Sequence, residues 1–382
     1  MEEWTSVDVC WRKKRDEWKV VPLNVAVIGN SGVGKSSFIN AIRRLDADDE
    51  GAAPVGVTET TMEPRGFEHP DNPMLKFWDL PGVGTDRFPR QTYLSDIDVD
   101  RYDFFLLITA DRFTENDTWL GNEFRKRNKK YFFVRTKIED EISNDKKAHP
   151  KTHNEEAVMK RIRESTEKHL RENGCEDVAV FLIDNYELQK FKFEELEQQL
   201  ISDFPDIKRS ALIFSLQATS EKMVQVKVEE LRRRIMKMAT LSGFIAAVPL
   251  PGLSVIVDSA IITKETEFYL TQLGLDEKSL QRCAQRHSLD YDKLTGIVSG
   301  ALGVNTVGVA VMRWVPQILY FLLPSAAEEV ARDLLPMIGC VFASPLSFGA
   351  THKALTMILD KFEVAAIEVN KIAAKNICTA QT

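Results

Sequence analysis

The chain has 382 residues, 44% apolar and 28% charged, with 50 basic and 57 acidic side chains and a formal net charge of −7. The apolar fraction excludes a disordered or collagen-like chain, and the acidic balance excludes a basic nucleic-acid arm, so nucleic acid is not an expected partner. At about 100–200 residues per domain, the length excludes a single small module and allows two domains, or one large domain with an extension.

The start, M-E-E-W-T-S, lacks the basic-then-apolar profile of a secretion signal and the second-position glycine needed for myristoylation. Five scattered cysteines (Cys10, Cys175, Cys283, Cys340 and Cys378) form no C-x-x-C pair and read as reduced thiols. Together these give the expectation of a cytoplasmic protein. Trp4, Val7, Trp11 and Trp18 fall on a seven-residue seam beside the basic run Arg12 to Arg15, which predicts an amphipathic helix in an N-terminal segment, residues 1–21. Two readings of it stand: the indoles pack against C-terminal helices, or the helix lies on an anionic membrane or joins two subunits.

From residue 22 to about residue 205, short apolar runs alternate with amphipathic stretches, the signature of an α/β fold with a mostly parallel sheet. Strands are predicted at Leu23–Ile28, Met74–Trp78, Phe104–Ile108, Tyr131–Val134 and Val178–Ile183. Directly after the first stands G-N-S-G-V-G-K-S, Gly29 to Ser36, and a helical run begins at Ser37. This is G-x-x-x-x-G-K-[ST] between a strand and a helix, the context that identifies a phosphate-binding loop for a nucleoside triphosphate. Glycines let main-chain N–H groups converge on phosphate oxygens, and the helix turns its positive end to the same charge. Asn30, Ser31, Gly32, Val33, Gly34, Lys35, Ser36 and Ser37 are therefore candidate nucleotide-binding residues. Lys35 is placed on the β and γ phosphates, and Ser36 on Mg²⁺, which prefers hard oxygen ligands.

Further along, D-L-P-G follows the strand ending at Trp78: Asp79 is a candidate for the magnesium shell and the Gly82 amide for the γ phosphate. Between these elements the loop G-V-T-E-T-T carries threonines suited to magnesium, although loop threonines taken singly are commonplace. Guanine is read by a carboxylate preceded by a lysine. After the strand Tyr131–Val134 the chain offers Thr136, Lys137 and Glu139, a glutamate where an aspartate is expected, with Asp140 as the alternative acceptor. Asp184 and Asn185, followed by Tyr186, form the last predicted base-side loop.

Beyond residue 205 strand signals fade and a helical domain, residues 206–382, is predicted. Val224, Val228, Leu231, Ile235 and Met238 recur at spacings of four and three, the apolar face of a helix in 220–240. Further helices are predicted at 258–273, 276–287, 290–302, 305–322, 325–335 and 350–374. The run Arg232 to Arg234 reads as a solvated face. From residue 291 onward only 14 of 92 residues are charged, about half the earlier density. Three uncharged runs begin at Met238, Ile297 and Leu334, but prolines or an arginine interrupt or end each, so buried core helices and membrane-embedded segments both remain open.

With these elements assembled, the chain resembles the immunity-related GTPases, the interferon-inducible family of vertebrate cytosol. The resemblance rests on G-N-S-G-V-G-K-S, V-T-E-T-T-M, F-W-D-L-P-G-V-G, Y-D-F-F-L-L-I, F-V-R-T-K, L-I-S-D-F-P and P-L-S-F-G. It implies a P-loop GTPase domain (22–205) set in an all-α domain formed by both chain ends, binding GTP or GDP with Mg²⁺. By position it makes Thr61 the magnesium-side threonine and Glu59 a candidate for orienting water or a neighbouring subunit's nucleotide. It further implies a dynamin-like switch that forms nucleotide-dependent dimers or higher homo-oligomers at intracellular membranes, in cell-autonomous innate immunity. Glu139 and Asp184 depart from the family pattern, and no glutamine follows Gly82 to orient water. A nucleotide-binding scaffold or regulator with little hydrolysis is the alternative expectation.

Overall fold

The computed structural model describes residues 16–56, 63–111, 113–175, 177–246, 253–302 and 336–380. The predicted N-terminal helix up to residue 15, the loop carrying Glu59 and Thr61, and the helices predicted at 305–322 and 325–335 lie outside the described residues. The chain divides into two compact units, one of Glu17–Leu216 and the other of the residues from Gln217 onward with Asp16.

The first unit is built on six strands: β1 (Leu23–Ile28), β2 (Arg65–His69), β3 (Asn72–Asp79), β4 (Phe104–Thr109), β5 (Lys130–Arg135) and β6 (Val180–Leu182). Their order is β2-β3-β1-β4-β5-β6, with β2 antiparallel to β3 and every other pair parallel. Parallel strands are covered on both faces and so read as unbroken apolar runs. β4, F-F-L-L-I-T, is buried at every position. Its side chains alternate between faces: Phe105 stacks on Phe124 at 4.1 Å, while Phe104 meets Phe132 edge-on at 4.7 Å and Phe204 at 5.8 Å. β2 was not among the predicted strands. Its sequence R-G-F-E-H buries only Phe67 and His69, the half-exposed pattern of an edge strand.

The helices of this unit are α1 (Lys35–Ile42), the single turn α2 (Tyr93–Asp96), α3 (Glu115–Lys126), α4 (Ile138–Ala148), α5 (Glu155–Glu172), α6 (Phe193–Asp203) and α7 (Asp206–Ser215). A capping box starts α3: Asp117 N donates to Thr114 Oγ1 and Thr114 N to Asp117 Oδ2. The unit extends past 22 and 205 at both ends. Trp18, in a 3-10 turn Glu17–Val20, is buried edge-on to Phe214 of α7 at 5.5 Å, so the two ends close on each other by aromatic packing. Trp18 thus serves the sheet-bearing unit, whereas the seam it shares with Trp4 and Trp11 predicts packing on C-terminal helices, on a membrane or against a second subunit. Because β1 lies between β3 and β4, successive connections leave its end in opposite directions. The crevice at the carboxyl end of such a switch point is where open α/β sheets bind ligands.

In the second unit, α8 (Glu221–Ala246), α9 (Leu253–Gln272), α10 (Glu277–Arg286), α11 (Tyr291–Leu302) and α12 (Pro336–Ala380) form a bundle in which α12 packs along α8, α9 and α11. The predicted face of α8 is the buried one: Val224, Val228, Leu231, Ile235 and Met238 are each less than 5% exposed. The arginine run is a solvated face at Arg232 and Arg233, as expected, and departs from expectation only at Arg234. Arg234 is buried and makes two 2.7 Å bonds to Glu265 of α9, and Arg232 pairs with Asp360 and Glu363 of α12. Only a partner 31 positions away turns Arg234 inward; unpaired, a buried guanidinium would be prohibitively desolvated. Among the described residues, no helix is long and apolar enough to cross a membrane.

Candidate functional site

The carboxyl ends of β1 and β3 and the start of α1 frame the candidate phosphate site. Gly29 leaves β1 so close to β4 that a Cβ there would lie 2.1 Å from the Ile108 carbonyl oxygen, so only glycine fits. Gly34, at φ 92°, is the residue before α1 and needs the left-handed conformation that glycine adopts without penalty. The loop is thereby fixed by main-chain geometry. Lys35 is buried and folds its ammonium over the loop, donating to the carbonyls of Gly29 (3.0 Å) and Asn30 (3.1 Å). Asn30, Ser31 and Gly32 are exposed at the rim, while Val33 is buried beneath.

Ser36 Oγ donates to Asp79 Oδ2 at 3.1 Å. Asp79 is the last residue of β3 and is buried, and Leu80 N continues the ladder to Val27 O at 3.0 Å. A hydroxyl and a carboxylate converge beside the amino end of a helix, a hard-oxygen donor set that fits Mg²⁺ and a polyphosphate. The loop beyond is clamped at two carbonyls. Tyr93 OH donates to Pro81 O at 2.7 Å, and Asn116 Nδ2 of α3 donates to Val83 O at 2.9 Å. Burial, then the nearby Tyr102 and Asp79, push the Tyr93 phenol well above its ordinary range, so it stays a donor. Arg90 Nε in turn holds Asn116 Oδ1 at 2.5 Å. Neither Tyr93 nor Asn116 was a candidate from sequence. Asn116 sits within the α3 cap signal, and its partner, 33 positions away, leaves no trace in the local pattern.

The base-side elements are tied to the phosphate loop. Thr136 Oγ1 donates to Val33 O at 2.7 Å, and Thr136 N to Thr109 O at 2.8 Å. Asn185 Nδ2 donates to Gly34 O at 3.1 Å, so Thr136 and Asn185 both serve to hold the cradle. Asp184 Oδ1 accepts from the amides of Tyr186 (2.9 Å) and Glu187 (3.3 Å), an Asx turn that shapes the loop. Lys137 precedes α4 in the left-handed conformation (φ 59°) and is exposed. Glu139, in the first turn of α4, accepts through Oε2 from Lys190 Nζ at 2.5 Å, and Glu155 lies 3.6 Å from the same ammonium. Burial opposes the charge on Lys190, yet these two carboxylates outweigh it and hold its pKa above the usual value. Asp140 is exposed. Glu59 and Thr61 lie outside the described residues.

A family model described as Interferon-inducible GTPase (IIGP) matches residues 9–299. The chain is 39% identical over 280 residues to interferon-inducible GTPase 1 of Mus musculus, covering 72% of this chain and 67% of that one. It is 34% identical over 342 residues to interferon-inducible GTPase 5 of Rattus norvegicus, covering 89% of this chain and 73% of that one. The structure of Toc33 from Arabidopsis thaliana in complex with GDP and Mg²⁺ is similar over 47% of this chain and 77% of that chain, at 17% identity and a TM-score of 0.31, too remote to carry an argument. The family match and the phosphate-loop geometry lead to one conclusion: the chain belongs to the interferon-inducible GTPase family, with GTP as its nucleotide and a Ser36–Asp79 pair that fits Mg²⁺.

Proposed function

We propose that this chain is a nucleotide-driven switch that hydrolyses GTP slowly alone and faster when copies associate across the nucleotide face. Lys35 neutralises charge on the β and γ phosphates, Ser36 and Asp79 hold Mg²⁺, and Gly82 offers its amide to the γ phosphate. Phosphoryl transfer to water asks a protein for position and charge, with little covalent chemistry. The observation that carries the proposal is Val83. The residue after Gly82 is buried in the core, with its carbonyl held by Asn116, so this position presents no side chain to orient the attacking water. A group from elsewhere, such as Glu59 or a second copy, must complete the site.

Specific GTPase activity measured over a hundredfold range of protein concentration tests this reading. It should rise with concentration; a flat profile rejects association as the missing element. We further assign the switch to intracellular membrane surfaces in cell-autonomous innate immunity, a reading supported by the family. Flotation with anionic vesicles should retain the GTP-bound chain more than the GDP-bound chain, and equal retention would refute it. The Glu139–Lys190 ion pair favours a second reading, a scaffold that turns over little GTP. Phosphate release equal to that of Lys35→Ala would select it.

A further inference from the structure

The base-side loop ends in a side chain with no assigned role. Tyr186 is 79% exposed, more than any other large apolar side chain among the described residues. Leaving an aromatic ring in water forgoes burial of a large apolar area. Yet the ring stands on a well-held backbone. The Asp184 carboxylate accepts the Tyr186 amide, and the adjoining Asn185 is buried and bonded to Gly34 O. From that base the phenol reaches the phosphate side, placing its hydroxyl 3.4 Å from Ser37 Oγ, in the first turn of α1 and next to Ser36. An oxygen pair at that distance is too long for a strong hydrogen bond. The ring therefore bridges the two halves of the nucleotide site without being committed to either.

A nucleotide whose phosphates lie on Gly29–Ser36 and whose base lies by Thr136–Glu139 and Asp184–Asn185 must pass its ribose between these loops, beside this ring. We propose that Tyr186 is a nucleotide-contacting residue that closes the site over the nucleoside end, laying its ring against the base or sugar of a purine nucleoside di- or triphosphate. The inference rests on the reading that residues 29–37 hold the phosphates. It gives the site an aromatic contact that is indifferent to the exact base edge, because every base has a π face. It also offsets the commitment of Glu139 to Lys190.

The test compares the full chain with Tyr186→Phe and Tyr186→Ala, each with Mg²⁺, by calorimetric titration of GTP, GDP and inorganic tripolyphosphate, alongside thermal melting of the ligand-free proteins. Tyr186→Phe should bind GTP within about twofold of the native chain, and Tyr186→Ala should bind GTP and GDP about tenfold more weakly, the scale of a lost base–aromatic stack. Tripolyphosphate affinity and melting temperature should not change. Native GTP affinity in Tyr186→Ala would overturn the inference, as would an equal loss for tripolyphosphate, which would make Tyr186 a prop for the phosphate loop. If the native chain bound neither GTP nor tripolyphosphate, the assignment of residues 29–37 would fail, and the inference with it.

Discussion

The phosphate end and the base end of this site are held by different kinds of bond. At the phosphate end main-chain atoms dominate: Gly29 against the Ile108 carbonyl, Gly34 in the left-handed region, and Lys35 on two loop carbonyls. At the base end Thr136 and Asn185 also bond to loop carbonyls, but the carboxylate expected to read the base is held by a partly solvated side-chain pair, Glu139 with Lys190. A backbone cradle has few alternatives once its glycines are fixed. A solvated carboxylate can exchange one cation for another at small cost, because exposed ion pairs contribute only about 0–1 kcal/mol. Phosphate recognition should therefore be rigid in this protein and base recognition tunable.

The sharpest way to break that contrast is Lys35→Ala. Removing a preorganised charge donor costs about a hundred- to a thousandfold in turnover, and GTPase kinetics should show a loss of that order with the melting temperature little changed. A smaller loss would mean that the loop amides alone carry the γ phosphate. Gly29→Ala should act through the fold: its Cβ has to displace β4, and overpacking of this kind costs about 1–3 kcal/mol, which thermal unfolding would register together with loss of nucleotide binding. Asn116→Ala releases the Val83 carbonyl. One hydrogen bond is worth about 1 kcal/mol, so the hydrolysis rate should fall roughly fivefold while GDP affinity, measured by titration, stays the same. The smallest effect belongs to the base end. Lys190→Met frees Glu139, and GTP affinity should rise about two- to fivefold, the range of an exposed ion pair; an unchanged or weaker affinity would show that Lys190 steadies the base-reading carboxylate rather than competing for it.

The parts of the fold that were legible in the sequence are those fixed by local pattern. β1 matches its predicted range, and β3, β4 and β5 contain theirs, because strands covered on both faces are uninterrupted apolar runs. β6 is shorter than its predicted run, Val180–Leu182 within Val178–Ile183. β2 escaped notice because it is a half-exposed edge strand in which the charged Arg65 and Glu68 break the apolar run. Prediction placed the start of the last helix near residue 350, whereas α12 begins at Pro336 and carries Pro345 in its interior. At the site, spacing alone pointed to Ser36 and Asp79 as neighbours. Nothing local pointed to Tyr93, Asn116 or Lys190, whose partners lie 12, 33 and 51 positions away.

By itself, the sequence determined the glycine-rich loop after β1, the strands that frame it and the apolar face of α8, since glycine conformation, helix polarity and hydrophobic period are properties of a few adjacent residues. Tertiary structure decided which polar groups meet: Arg234 turned inward to Glu265, Glu139 bonded to Lys190, and the Val83 carbonyl bound to Asn116. A buried or half-buried polar group must find its partner wherever the chain brings one, and that choice is made across the fold rather than along the chain.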